Sequence, residues 1–183
     1  MTKIFIIILV LVLLVVGIFS FLPSQCHSNN SNNSNINVLN LQGDSVNLNK
    51  LINYDKLNIV ILLSLPTCHE CCVQLNTALT QLIEDKANIS IYAIISSDND
   101  VLSRRMDMNY FKKFFSLNIQ YYFVTTNSNN YSGSFGICEY KITHTPSLLL
   151  MSFNKELFVN YEELFGNNEF TSQKLFKIIN DFK

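Results

Sequence analysis

Charge is scarce in this chain and evenly split: 13 basic and 14 acidic residues among 183, a formal net charge of -1, and no long run of either sign. A nucleic-acid partner needs a concentrated basic footprint, and none is visible, so that class of function is excluded. Basic residues are missing altogether between Lys3 and Lys50. Cysteine is sparse as well. Five are too few for a disulfide scaffold, and the odd number leaves at least one unpaired within a monomer. No second C-x-x-C exists, no haem-attachment motif is present, and no internal repeat is evident.

What is there is concentrated. Three of the five cysteines fall within residues 68–72, directly after the apolar run Leu57-Asn58-Ile59-Val60-Ile61-Leu62-Leu63-Ser64-Leu65 and the dipeptide Pro66-Thr67. The run is rich in β-branched residues and ends at a proline, which favours a central strand over residues 57–65. An amphipathic helix follows over 71–84, with Cys72, Leu75, Leu79, Leu82 and Ile83 on its apolar stripe. Cys68 and Cys71 therefore sit where a strand gives way to a helix. Two thiols at that spacing can close a small disulfide ring reversibly, and the helix's free N–H groups favour the first of them as a thiolate. In a strand–helix context this is the redox reading of the motif rather than the zinc reading. Zinc would need two further ligands from His69, Cys72, Cys138 and His144, so neither a metal nor a cofactor is expected. Cys68 is the natural nucleophile and Cys71 the resolving thiol. His69 can stabilise a thiolate when protonated, and Glu70 opposes it slightly. Cys72 continues the apolar stripe and reads as core, as does Cys138. His144 can lie beside the thiols.

Residues 4–22 are 19 consecutive uncharged residues, broken only by Gly17 and Ser20. At about 1.5 Å of rise per residue they nearly span a hydrocarbon core. With positive charge only at Lys3 and the amino terminus, the domain is expected outside the cytoplasm. Residues 1–23 read first as an uncleaved signal anchor. A cleaved signal peptide and a lipoprotein attached at Cys26 are the alternatives. Residues 24–35, rich in Asn and Ser, form a flexible tether.

Within 36–183, short strands around the turn Gln42-Gly43-Asp44-Ser45 suggest a hairpin. One helical turn is expected within 49–54. A second apolar strand over 89–96 completes a right-handed βαβ unit with parallel pairing. A helix over 101–115 is expected to bury Leu102, Met106, Tyr110, Phe111, Phe114 and Phe115, and to expose Arg104, Arg105, Lys112 and Lys113. An aromatic strand over 120–125, a loop at 127–130 and a short helix at 135–140 follow. Strands over 147–153 and 156–161 form a hairpin around Asn154-Lys155, and a helix over 171–182 closes the chain.

The order strand, C-x-x-C, helix, strand, helix, strand, Thr-Pro, hairpin, helix resembles the thioredoxin-like fold. It is most similar to the membrane-anchored, extracytoplasmic TlpA- and ResA-like thiol-disulfide oxidoreductases, which carry an additional N-terminal β-hairpin. The resemblance covers residues 36–183. It implies an α/β architecture, a central mixed sheet flanked by helices, and Cys68 and Cys71 as the redox pair. It also implies that Thr145-Pro146, in the phrase Ile142-Thr143-His144-Thr145-Pro146-Ser147, is the Thr–cis-Pro that faces the disulfide and pairs with the substrate backbone. The chain departs from these relatives in having no Trp, with Thr67 before the first cysteine, and in lacking a proline before the second. No buried carboxylate is recognisable as proton acceptor.

The function expected from these features is disulfide exchange with protein substrates outside the cytoplasm. A reductant role draws electrons from a membrane partner. A thioredoxin-like metal-binding or chaperone module without turnover is the alternative, which stoichiometric metal binding by the reduced protein would reveal. A peroxiredoxin-like peroxidase is a further one. It fits less well, because Pro66 lies only two residues before Cys68 and no arginine is close in sequence.

Overall fold

The computed structural model describes residues 37–85, 88–125, 144–153, 155–166 and 170–182. The apolar segment 4–22, the tether, Cys26, the loop at 127–130, the helix expected at 135–140 with Cys138, and Asn154 of the expected hairpin turn lie outside them. Among the described residues no helix is long and apolar enough to cross a membrane.

The sheet is built around β3 (Leu57–Leu63), every residue of which is buried. β4 (Ile89–Ser97) pairs with it in parallel, and β6 (Ser147–Ser152) pairs antiparallel on its other side. With β1 (Asn37–Leu39), β2 (Ser45–Asn47), β5 (Gln120–Thr125) and β7 (Lys155–Val159), they form one mixed seven-stranded sheet in the order β2-β1-β5-β4-β3-β6-β7. Both faces of β3 are covered, which is why its sequence, Asn58 apart, is apolar throughout rather than alternating. Ile59, Ile61 and Leu63 join one core cluster, while Val60 and Leu62 join another containing Leu48, Leu149 and Met151. The α/β architecture and the mixed sheet are as the sequence led one to expect.

The N-terminal hairpin is present, with Val38 opposite Val46, and it joins the sheet through the pairing of β1 with β5 at Leu39 and Phe123. Its turn is closed by the Asn40 side chain, which accepts from the Gly43 and Asp44 N–H groups. Gly43 adopts φ +98°, and a Cβ there would come within 2.8 Å of Arg104 Nη2. The backbone conformation therefore disfavours a side chain, which would also require the Arg104 guanidinium to shift. The expected helical turn is α1 (Leu48–Leu51), capped by Asn47.

α2 (His69–Asp85) buries Cys72, Leu75, Ala78, Leu79 and Leu82. Ile83, expected on that stripe, is exposed. The helix starts two residues before the expected position and β3 stops two residues earlier, so the linking loop is 64–68.

α3 (Val101–Phe111) departs further from expectation. Leu102 and Met106 are 66% and 62% exposed, whereas Arg104 is only 3% exposed. The core-facing stripe is Arg104, the partly buried Met108 and Phe111, continued past the helix end by Phe115, and it passes straight through an arginine. Its Nε donates to the Leu41 carbonyl at 3.2 Å, while its Nη1 is buried without a hydrogen-bond partner among the described residues.

The last strand also ends early. Tyr161, expected at the end of a strand, begins α4 (Tyr161–Phe165) instead. Asn160 accepts from the Glu163 N–H at 2.7 Å, and the Glu163 carboxylate accepts from the Asn160 N–H at 3.1 Å. This capping box turns the chain out of the sheet. α5 (Ser172–Phe182) then packs Leu175, Ile179 and Phe182 into the core shared with α2.

Candidate functional site

The register of the sheet gathers the site. β3 and β6 pair with Leu62 opposite Ser147, so two residues beyond the ladder Ser64 faces Thr145. Thr145 is buried, and its Oγ1 donates to the Ser64 carbonyl at 3.1 Å and accepts from the Ser64 N–H at 3.3 Å. Thr67 Oγ1 donates in turn to the Thr145 carbonyl at 3.1 Å. These bonds hold the segment before the cysteines against the segment before Pro146. Thr67, standing where the resembled proteins carry a large aromatic, is thus the bridge between the two. The Thr145–Pro146 peptide is cis, as is Leu65–Pro66.

Cys68 immediately precedes α2 and Cys71 lies in its first turn. The two are joined as a disulfide, with Cα atoms 5.3 Å apart. The Cys68 carbonyl accepts from the Cys72 N–H at 3.1 Å, and Cys68 Sγ accepts from the Cys71 N–H at 3.3 Å. The sulfur therefore occupies the position of an N-cap acceptor, where the otherwise unpaired N–H groups of a helix favour negative charge. Cys68 is half-buried, whereas Cys71 is 7% exposed. Tyr161 Oη lies 3.3 Å from Cys71 Sγ, and its ring stacks on Phe165 at 5.0 Å.

No protein-family model and no curated protein matches the chain. Solved structures do. One is a secreted Mycobacterium tuberculosis disulfide oxidoreductase homologous to E. coli DsbE, with 16% identity and a TM-score of 0.54 over 80% of this chain and 96% of that one. The fold is thioredoxin-like. A thioredoxin-like protein from Porphyromonas gingivalis is also similar, at 16% identity and a TM-score of 0.54 over 81% of this chain and 89% of that one. A solution structure from Bacteroides vulgatus gives 18% and 0.52 over 86% of this chain and 90% of that one. At such identities the likeness is one of fold.

The remaining polar groups of this thioredoxin-like domain fall into three places. His69, between the cysteines, is exposed and is engaged by the helix beside it. Its Nε2 hydrogen-bonds the Tyr110 hydroxyl, and its ring stacks on Phe114 at 5.1 Å. Glu70 is exposed and accepts from the Gln74 side chain at 3.4 Å. His144 bonds Glu162 at 3.1 Å, and its ring lies 5.5 Å from that of Tyr161, which links it to the thiols through that residue.

Cys72 is free and fully buried, with Thr67 Oγ1 at 3.7 Å from its sulfur. Burial pushes its thiol up to about 11, against a weaker lowering by Thr67. It stays protonated at neutral pH. Among the described residues no three His, Cys, Asp or Glu side chains gather as metal ligands.

Tyr161 is the site residue that the sequence reading missed. The sequence does contain a signal for it, since Asn160-Tyr161-Glu162-Glu163 has the spacing of a capping box. The apolar run Leu157-Phe158-Val159, read as a strand continuing to Tyr161, masked that signal.

Proposed function

We propose that the chain is a thiol-disulfide oxidoreductase acting on protein substrates outside the cytoplasm, with Cys68 as attacking thiol and Cys71 as resolving thiol. The observation that carries this reading is the Cys68–Cys71 disulfide at the start of α2, where Cys68 Sγ already receives a helix N–H. In the reduced protein the Cys68 thiolate attacks a substrate disulfide. This forms a mixed disulfide and releases one substrate thiolate. The Cys71 thiolate then attacks Cys68 Sγ, closing the intramolecular disulfide and releasing the second substrate thiolate. Two electrons pass from the dithiol to the substrate, and the reverse sequence oxidises a substrate dithiol. Run as a reductant, the protein draws those electrons from a membrane donor. Thr145 and Pro146 present their backbone to the substrate chain.

Residues 1–23 anchor the chain in a membrane, 24–35 act as tether and 36–183 form the catalytic domain. The uncharged run at 4–22 supports the anchor, and similarity to a protein described as secreted supports the location.

Trapping tests the reading. Cys71→Ser should accumulate partners linked through Cys68, and adding Cys68→Ser should abolish them. Absence of trapped partners together with a dithiol that shows no reversible potential would overturn it.

A further inference from the structure

We infer that Tyr161 is a catalytic residue of the resolving half-reaction, its hydroxyl accepting the Cys71 proton and then stabilising the thiolate. This rests on the dithiol reading above and assigns a role that neither C-x-x-C nor Thr-Pro supplies.

The need follows from burial. A resolving thiol must ionise before it can attack, and Cys71, at 7% exposure, has little water to stabilise that charge. Unlike the Cys68 sulfur, it is not placed as an N-cap acceptor. Tyr161 Oη lies 3.3 Å from Cys71 Sγ, within hydrogen-bonding reach of a sulfur.

The fold fixes that hydroxyl in three ways. The β6–β7 register sets Leu148 opposite Val159, so Tyr161 follows the ladder by two residues at the end of the sheet where Pro146 precedes β6. The capping box between Asn160 and Glu163 sets the backbone of Tyr161 as the first residue of α4. Its ring is stacked on Phe165, which stacks on Phe170 at 4.8 Å. The ionisable groups of this corner are the His144 imidazole beside the Tyr161 ring, Glu162 bonded to that imidazole, and Glu163 engaged in the cap.

With Cys68 held in the mixed disulfide, Cys71 S–H passes its proton to Tyr161 Oη while the phenol releases its own to solvent. The phenol stays neutral and donates its O–H to the new thiolate. The thiolate forms the bond to Cys68 Sγ. The Cys68–substrate bond breaks, and its electron pair leaves on the substrate sulfur, which takes a proton from solvent. In the closed disulfide, as observed, the hydroxyl can only donate to Cys71 Sγ.

The test separates the two half-reactions. Reduced full-length protein in detergent micelles, carrying Cys26→Ser and Cys138→Ser, is mixed with one equivalent of the aromatic disulfide dithiobis(nitrobenzoate). Attack by Cys68 releases one coloured thiol, and resolution by Cys71 releases a second. Cys71→Ser should abolish the second release, identifying it as resolution by Cys71 rather than by Cys72.

Tyr161→Phe keeps the ring stack. It should leave the first phase unchanged and slow the second about tenfold at neutral pH, as expected for losing a hydrogen bond to a charged group. The deficit should shrink as pH rises and hydroxide ionises Cys71 directly. Equal second phases in wild type and Tyr161→Phe would overturn the role of Tyr161 while leaving dithiol exchange intact. Equal slowing of both phases would also overturn it, marking Tyr161 as structural. Absence of a second release from the wild type would overturn the dithiol reading itself.

Discussion

α2 and α3 pack against the same core but are fastened to it differently. α2 is held along its length by a continuous apolar face, with Cys72, Leu75, Ala78, Leu79 and Leu82 fully buried. α3 is held by fewer apolar side chains and by polar attachments near its start. Asp100 caps it by accepting from the Ser103 N–H at 2.8 Å, and hydrogen bonds to Ser103 hold that carboxyl below the ordinary carboxylate range. Arg104 reaches the Leu41 carbonyl in the N-terminal hairpin, and Ser97 donates to Asp107 at 2.6 Å. The difference suits what each helix presents. In the proposed reaction α2 offers its first turn to the Cys68 sulfur, and the apolar face behind that turn anchors the helix. In α3, Arg104 ties the helix to the hairpin and Asp107 ties it to β4.

The comparison can be broken by substitution. Leu79→Ala in α2 should lower stability most, by about 2–5 kcal/mol in urea unfolding, through lost burial and the cavity left behind. Arg104→Ala should come next, at about 1–3 kcal/mol, because the Leu41 carbonyl loses its donor and the space beside Gly43 is left unfilled. Arg104→Met should recover part of that loss by restoring the apolar stem. Leu102→Ala and Met106→Ala should stay within about 0.5 kcal/mol of wild type, despite removing apolar residues from a helix. If Arg104→Ala proves as silent as Leu102→Ala, the polar fastening of α3 is refuted.

The same contrast explains which parts of the molecule could be read from the sequence. β3, β4 and α2 were legible because their burial follows the apolar pattern directly: two continuous apolar runs, and between them a helix with an apolar stripe. α3 was misread because it has two stripes at helical spacing. One is Leu102-Met106-Tyr110 and the other Arg104-Met108-Phe111-Phe115, and hydropathy favours the one without the arginine. What decides between them is Leu41, 63 residues away in the chain.

The candidate site divides likewise. Cys68 and Cys71 were legible from local spacing at a strand–helix junction. Thr145-Pro146 was brought to them by resemblance, because the bonds from Thr145 to Ser64 and Thr67 span 81 and 78 residues. Tyr161 was missed because the apolar strand residues Leu157-Phe158-Val159 run directly into a cap. The part played by Thr67 was also out of reach, since its two partners, the Thr145 carbonyl and Cys72, meet only in the folded chain.

The ends of the sheet bear on solubility. A sheet edge displays unpaired N–H and C=O groups on which another chain can template itself, and long, flat, apolar edges are the hazardous ones. Here one edge is β2, only three residues long and bent away at Asn47 into α1. The other is β7, five residues that open with the charged pair Lys155 and Glu156 and stop at the Asn160 cap. The long, mostly apolar strands β3 and β4 lie inside, each paired on both sides. The segments most prone to stacking into fibrils are therefore the ones the native fold keeps from view, and they become available only when the domain opens.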